Sequence, residues 1–107
     1  MIPSGHEDPF CRDRLPPPGD WPDLPPLLPY PDRLNAAHEL TCAMVERGFG
    51  DRVALVGNGR ARTYRELSDW TNRLALALRD DFGVRPGHRV LIRSANNPAA
   101  VAAWLAA

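Results

Sequence analysis

The sequence predicts an α/β protein, and two observations support this fold class. From residue 35 onwards, short apolar or β-branched runs alternate with amphipathic helical patterns, which is the order expected of a layered α/β domain. Residues 1–32 instead hold ten of the 12 prolines. Proline lacks a backbone N–H donor and restricts φ, so this Pro-rich stretch predicts an extended strap without helix or central strand. We therefore expect two parts, a strap at residues 1–32 and an α/β body at residues 33–107.

Charge and apolar content favour a strap that docks. Residues 1–32 carry six acidic side chains and two arginines, whereas residues 33–107 carry eleven arginines and seven acidic side chains. An acidic strap can therefore lie on a basic body. The strap is also too apolar for a solvated linker, which favours docking over free disorder, through Phe10, Leu15, Trp21, Leu24, Leu27, Leu28 and Tyr30.

The body begins with a helix and a β-hairpin. Asn35 can cap the helix and Gly48 can end it. In VALVGNGRAR, residues 53–62, Asn58-Gly59 favours a type I′ turn, because both central residues of that turn need positive φ. The alternative is a dinucleotide-binding loop at Gly57-x-Gly59. Such a loop needs a third glycine and leads directly into a helix, but position 62 is Arg, so the hairpin is favoured.

The rest of the body predicts a helix, a strand and a final helix. Thr63 and Glu66 match a capping box. The helix after them should reach about residue 82, where a turn follows at 83–87, and its apolar face comprises Tyr64, Leu67, Trp70, Leu74, Leu78 and Phe82. HRVLIRS, residues 88–94, predicts a buried strand. Asn97 and Pro98 can begin the last helix, AAVAAWLAA, which is apolar on nearly every face and should be buried. We expect Trp70 and Trp104 in the core.

Composition excludes several kinds of chemistry. The formal net charge is zero, which predicts neither a nucleic-acid partner nor a membrane partner. All 13 basic residues are Arg, so a Schiff base or a Walker-type lysine is excluded within this chain. Cys11 and Cys42 form no Cys-x-x-Cys motif and favour a reduced, cytoplasmic chain, with a disulfide as the alternative. The three histidines, His6, His38 and His88, are too far apart to predict a metal site.

Five short motifs follow one another in a recognisable order. They are GDR-x-AL at residues 50–55, TY-x-EL at 63–67, NRLA at 72–75, GV-x-PG-x-RV at 83–90 and NP at 97–98. In this order and spacing they resemble the N-terminal region of the AMP-forming acyl-CoA synthetases, the adenylate-forming enzymes. Upstream, DPFCRDRLPPPGDWPDL and YPDRLNAAHEL are similar to the N-termini of 2-aminobenzoate–CoA ligases and benzoate–CoA ligases.

The resemblance implies a fragment of a two-step ligase. In the family, ATP activates a carboxylic acid, here an aromatic one, as an acyl-adenylate, and coenzyme A then displaces AMP to form a thioester, with Mg²⁺ offsetting phosphate charge. The family's phosphate loop with its Lys, its adenine- and ribose-binding motifs and its C-terminal domain are absent from these 107 residues. We therefore expect an N-terminal piece of the large domain, with an incomplete sheet, no activity alone, and no catalytic, cofactor-binding or metal-binding residue.

Two other functions stay open at this point. A non-catalytic binding module would use its strap and its exposed helix faces to pair with a partner chain that supplies the missing sheet. The interpretation as a fragment of a nucleotide-binding oxidoreductase is supported only by Gly57-x-Gly59.

Overall fold

The computed structural model describes residues 7–22, 31 and 33–107. It contains two compact units. The first combines the described part of residues 1–34 with Arg85–Arg89, and the second comprises Asn35–Val84 and Val90–Ala107. The predicted boundary between strap and body at residue 32 stays a prediction.

In the first unit, the strap is not wholly extended. It forms two single turns of 3₁₀-helix, Arg12–Arg14 and Pro18–Asp20. The expectation of no helix is therefore wrong at these turns, because a 3₁₀ turn needs few backbone donors and accepts proline at its start. Three of the apolar side chains expected to dock remain exposed, namely Phe10, Leu15 and Trp21, and docking of the strap on the body stays a prediction. The other side chains expected to dock, Leu24, Leu27, Leu28 and Tyr30, lie outside the described residues.

The second unit begins with a kinked helical segment. Helix α1 is Ala36–Leu40 and helix α2 is Cys42–Met44. The Asn35 side chain accepts a hydrogen bond from the His38 N–H at 3.0 Å, which confirms the predicted cap. Thr41 separates the helices at φ −128° and ψ −86°, and its hydroxyl donates to the Ala37 carbonyl at 2.6 Å. A threonine bonded back to the preceding turn often bends a helix, and sequence periodicity did not predict this kink.

The segment ends in a π-helical turn, Val45–Phe49. Gly48 adopts φ 85° there, a left-handed conformation that glycine tolerates better than other residues. The predicted end of the helix at Gly48 is confirmed.

The predicted β-hairpin is present. Strand β1, Val53–Gly57, pairs antiparallel with strand β2, Arg60–Thr63. Asn58 and Gly59 have φ values of 53° and 72°, as a type I′ turn requires. Gly57 lies opposite Arg60, and the register shifts between Val53 and Leu55.

Helix α3, Tyr64–Asp80, begins at the predicted capping box. The Glu66 N–H donates to the Thr63 hydroxyl at 3.2 Å, and the Glu66 carboxylate accepts from the Thr63 N–H at 2.9 Å. The expected continuation to residue 82 is wrong, because Gly83 turns the chain at φ 64°. Phe82 therefore lies beyond the helix and is 77% exposed instead of joining its apolar face.

Residues 88–94 do not form the predicted buried strand. They are assigned to no strand, and Leu91 is 94% exposed. A strand needs a neighbour to satisfy its N–H and C=O groups, and within the described residues β1 and β2 pair only with each other. The apolar run Val90-Leu91-Ile92 has the composition of a strand but no partner for its backbone.

Helix α4, Pro98–Ala106, completes the core of the second unit. The Asn97 side chain accepts from the Ala100 N–H at 3.0 Å, so the predicted cap is confirmed. Ala102, fully buried, packs with Leu67 and Leu105, and partly buried side chains surround them: Ala37, Ala54, Leu55, Trp70, Leu74 and Val101. Burial of α4 on all sides is wrong, since Trp104 is 64% exposed.

Gly57→Ala should loosen the contact between β1 and α4. A Cβ at Gly57 would lie 2.7 Å from Cδ of the Pro98 ring. That ring is rigid, so the backbones must separate, and we expect a cost of about 1–3 kcal/mol in the stability of the second unit, the usual range for overpacking. Hydrogen exchange of the β1 and α4 amides measures the loss.

Gly19→Ala is the matched control, because a Cβ there meets nothing within 4 Å and φ is ordinary. Equal exchange rates in Gly57→Ala and the unaltered chain would show that β1 and α4 do not rely on this close approach.

Candidate functional site

The Gly57-x-Gly59 pattern forms the hairpin turn rather than a nucleotide loop. Residues 60–63 return as strand β2, and helix α3 starts only at Tyr64. A phosphate-binding loop must instead deliver its glycines to the start of a helix. Gly57 has a packing role, since its missing side chain leaves room for the Pro98 ring. The oxidoreductase interpretation therefore loses its one supporting feature.

Glu66 is held by the hairpin and the start of α3. Its carboxylate accepts from the Thr63 N–H at 2.9 Å and pairs with Arg60 at 3.4 Å. The Thr63 N–H, followed by the nearby arginines Arg60 and Arg62, lowers the pKa of Glu66. A carboxylate with these local bonds caps a helix and is poorly suited to accept a proton from a substrate.

The arginines of the hairpin are also occupied locally. The Arg62 guanidinium carbon lies 4.3 Å from the centroid of the Trp70 ring. A guanidinium stacked on an indole gains a cation–π interaction and shields the ring from water. Trp70 is accordingly half-buried beside the core, as the sequence predicted.

A polar cluster that the sequence did not predict surrounds the Cys42 thiol, where α2 meets α3. The cluster comprises Thr41, Cys42, Ser68 and Asn72. The Cys42 sulfur lies 3.4 Å from the Ser68 hydroxyl, 3.8 Å from the Thr41 hydroxyl and 4.0 Å from the Asn72 amide nitrogen. Ser68 and Asn72 are four residues apart on α3, a spacing that places them on one face. That pair is the only advance signal in the sequence.

These hydrogen bonds lower the pKa of the Cys42 thiol, with Ser68 as the largest cause and partial burial opposing it. Donors stabilise the thiolate, which is the nucleophilic form of cysteine. Cys42 and Cys11 are both free thiols, and the disulfide alternative stays a prediction. Cys42 is half-buried and Cys11 is exposed.

The outer face of α3 carries an open hollow with a volume of about 390 Å³, lined by Asp69, Asn72, Arg73 and Leu76. It is wide and mixed in polarity, unlike the enclosed, mostly apolar pockets that hold small molecules. The Thr71 hydroxyl, also on α3, is buried without a hydrogen-bond partner in the described part of the chain.

The three histidines belong to different parts of the chain. His38 lies on α1 and His88 in the turn of the first unit, while His6 is outside the described residues. Residues 7–22, 31 and 33–107 contain no group of three side chains arranged to hold a metal ion. None of the helices described here combines the length and hydropathy needed to cross a membrane.

Comparison with known proteins gives a consistent family. The family described as AMP-binding enzyme matches residues 43–107. Acetyl-coenzyme A synthetase of Streptomyces avermitilis is 40% identical over 93 residues, which cover 81% of this chain and 14% of that protein. No solved structure gives a significant match.

Relatives named for aromatic acids match as well. Benzoate–CoA ligase of Thauera aromatica is 34% identical over 73 residues, covering 68% of this chain and 14% of the ligase. The 3-hydroxybenzoate–CoA/4-hydroxybenzoate–CoA ligase of the same organism is 42% identical over 72 residues, covering 67% of this chain and 14% of that ligase. The chain thus spans about one seventh of the length of these relatives.

Ser68→Ala should slow the alkylation of Cys42. Without the Ser68 donor the pKa of the thiol rises, so less thiolate is present at pH 7.5, and we expect a rate about threefold lower. Iodoacetamide labelling followed by peptide mass spectrometry measures the rates at both cysteines. Asn72→Ala should have a smaller effect, since its amide nitrogen lies 4.0 Å from the sulfur and the Ser68 hydroxyl lies 3.4 Å from it.

Cys11 provides the internal reference, because it lies outside the cluster and its rate should not change. An unaltered Cys42 rate in a folded Ser68→Ala chain would contradict the assigned role of the hydroxyl.

Proposed function

Because the chain belongs to the family of AMP-binding enzymes, we propose that it forms the N-terminal portion of an ATP-dependent, AMP-forming acid–CoA ligase. The observation that carries this proposal is the agreement between the family match and the relatives. The three relatives described above each cover 67–81% of the chain, and the name of each is that of an acid–CoA ligase or acyl-CoA synthetase.

We propose an aromatic carboxylic acid as the substrate of the complete ligase, with 2-aminobenzoate or benzoate as the specific candidates. The benzoate and hydroxybenzoate ligases support the aromatic class. The similarity of the strap to 2-aminobenzoate–CoA ligases supports the narrower choice. Acetyl-coenzyme A synthetases match at comparable identity, so acetate is the competing substrate that an assay must include.

The described residues do not fit the phosphates of ATP or a Mg²⁺ ion. Gly57-x-Gly59 is a hairpin turn, Gly48-x-Gly50 lies at the end of the π-helical turn, and no lysine is present to contact a phosphate. The charged side chains around the hairpin are engaged locally: Glu66 with Thr63 and Arg60, and Arg62 with Trp70. The proposed role of this chain is therefore to support the large domain, and we assign it no step of the reaction.

A binding module remains the second candidate because large apolar side chains are exposed. Val56, Leu91 and Trp104 are the clearest cases, and exposed apolar patches favour association. The DNA downstream of codon 107 separates the two functions. A ligase predicts a Ser/Thr/Gly-rich loop with a lysine encoded there, whereas a module completed by another chain does not.

The chain alone should release no pyrophosphate with ATP and 2-aminobenzoate. In contrast, we expect activity from a chimaera of the Thauera aromatica benzoate–CoA ligase in which this chain replaces the aligned segment. If the chain supplies structure rather than chemistry, we expect kcat for benzoate within about tenfold of the parent ligase, since no reacting group is lost. AMP release is measured with benzoate, 2-aminobenzoate and acetate.

The chimaera should prefer benzoate, 2-aminobenzoate and acetate in the same order as the parent ligase. A folded chimaera that forms no AMP, or one that comes to prefer acetate, would refute the structural role. Pyrophosphate release by the chain alone, at a rate that follows its concentration after repurification, would refute the absence of catalytic groups.

A further inference from the structure

The N-terminal strap contacts a loop about eighty residues away in the sequence, within the first unit. The Arg89 guanidinium pairs with the Asp8 carboxylate at 3.1 Å. The other Asp8 oxygen accepts a hydrogen bond from the Phe10 N–H at 2.9 Å. The Asp8 carboxylate therefore contacts both the backbone of the strap, at Phe10, and a side chain of the loop, that of Arg89.

Phe10 adds a second contact of different chemistry. The Arg89 guanidinium carbon lies 4.2 Å from the centroid of the Phe10 ring, and that of Arg14 lies 3.7 Å from it. Arg14 also donates to the Phe10 carbonyl at 3.2 Å. The ring, although exposed, thus carries two guanidinium groups, and Arg89 is held by both a carboxylate and an aromatic face.

The backbones approach closely at Gly87. A Cβ there would lie 2.8 Å from both the backbone nitrogen and the backbone oxygen of Asp8, and φ is 94°. Next to it, the Glu7 N–H donates to the Pro86 carbonyl at 2.9 Å. Only glycine satisfies both the positive φ and the close approach.

From these contacts we propose that residues 7–14 form a clasp that stabilises the folded loop Arg85–Arg89 and opens as ionic strength rises. The clasp consists of Asp8, Phe10 and the Glu7 N–H, acting on Arg89, Gly87 and Pro86. The proposal does not depend on the ligase function.

The loop also has hydrogen bonds of its own, which define the competing explanation. The His88 N–H donates to the Arg85 carbonyl at 3.0 Å, and the Arg85 N–H donates to Nδ1 of His88 at 3.2 Å. If these bonds suffice, the loop is folded with or without the strap. If the clasp is required, weakening the strap contacts opens the bond from His88.

Amide hydrogen exchange measured by NMR distinguishes the two. The Glu7 amide reports on the attachment of the strap, the His88 amide reports on the loop, and the Arg52 amide, bonded to the Phe49 carbonyl in the second unit, is the reference. Relative to Arg52, we expect His88 to exchange about threefold faster in Asp8→Asn or Phe10→Leu, and about tenfold faster in the double variant, as weak exposed contacts imply.

Salt gives a second readout. Raising sodium chloride from about 0.05 M to about 0.5 M shortens the screening length severalfold. We expect His88 exchange to rise about twofold in the unaltered chain and not in Asp8→Asn, because that variant has lost the charge that salt screens.

Matched controls separate the clasp from general effects. Asp13→Asn removes a carboxylate whose partner, Arg12, belongs to the strap itself, and it should leave His88 unchanged. Gly87→Ala should open the loop. Gly83 also has a positive φ, but a Cβ there would meet nothing within 4 Å, so Gly83→Ala should leave the exchange rate of the Glu7 amide unchanged.

Three results would overturn the proposal. The first is that the His88 amide of the unaltered chain exchanges as fast as the same amide in a free peptide of residues 84–90. The second is faster exchange at Glu7 but not at His88 in the double variant, which would mean that the loop folds by itself. The third is an equal response to salt with and without the Asp8 charge.

Discussion

The second unit depends on the packing of α4 against α3 around Ala102. This alanine is fully buried with Leu67 and Leu105, and the surrounding side chains are only partly covered. A small side chain at the centre allows the two helices to approach closely, and the Gly57–Pro98 contact brings β1 to the start of α4 in the same way. Two small residues therefore position the hairpin and both helices, while larger apolar side chains remain near the edge of the core.

The elements that the sequence predicted are those fixed by hydrogen bonds over a few residues. Asn35, Asn97 and the Thr63–Glu66 pair cap their helices through partners three residues away. The Asn58-Gly59 turn likewise needs only its own two backbone conformations. Side-chain chemistry at these positions determines the local backbone, so one sequence suffices to place them.

Several of the failed predictions concern long-range neighbours. Residues 88–94 have the composition of a strand, but pairing requires a second backbone that these residues do not specify. Trp104 was expected in the core on hydrophobicity alone, yet burial depends on what covers that side of α4. The Cys42 cluster and the Asp8–Arg89 pair also join residues 26 or more positions apart. The family was recognisable because it depends on the order of short motifs and not on these contacts.

Four of the 13 arginines stack on aromatic rings. Arg14 and Arg89 contact Phe10, Arg52 contacts Phe49, and Arg62 contacts Trp70. A planar guanidinium stacks on an aromatic ring and still donates hydrogen bonds at its edge, whereas a strongly hydrated ammonium group does this poorly. Arg89 does both, since it contacts Phe10 and pairs with Asp8. At these positions positive charge covers aromatic surface, which is a structural role and leaves fewer cations free to bind the phosphates of a nucleotide.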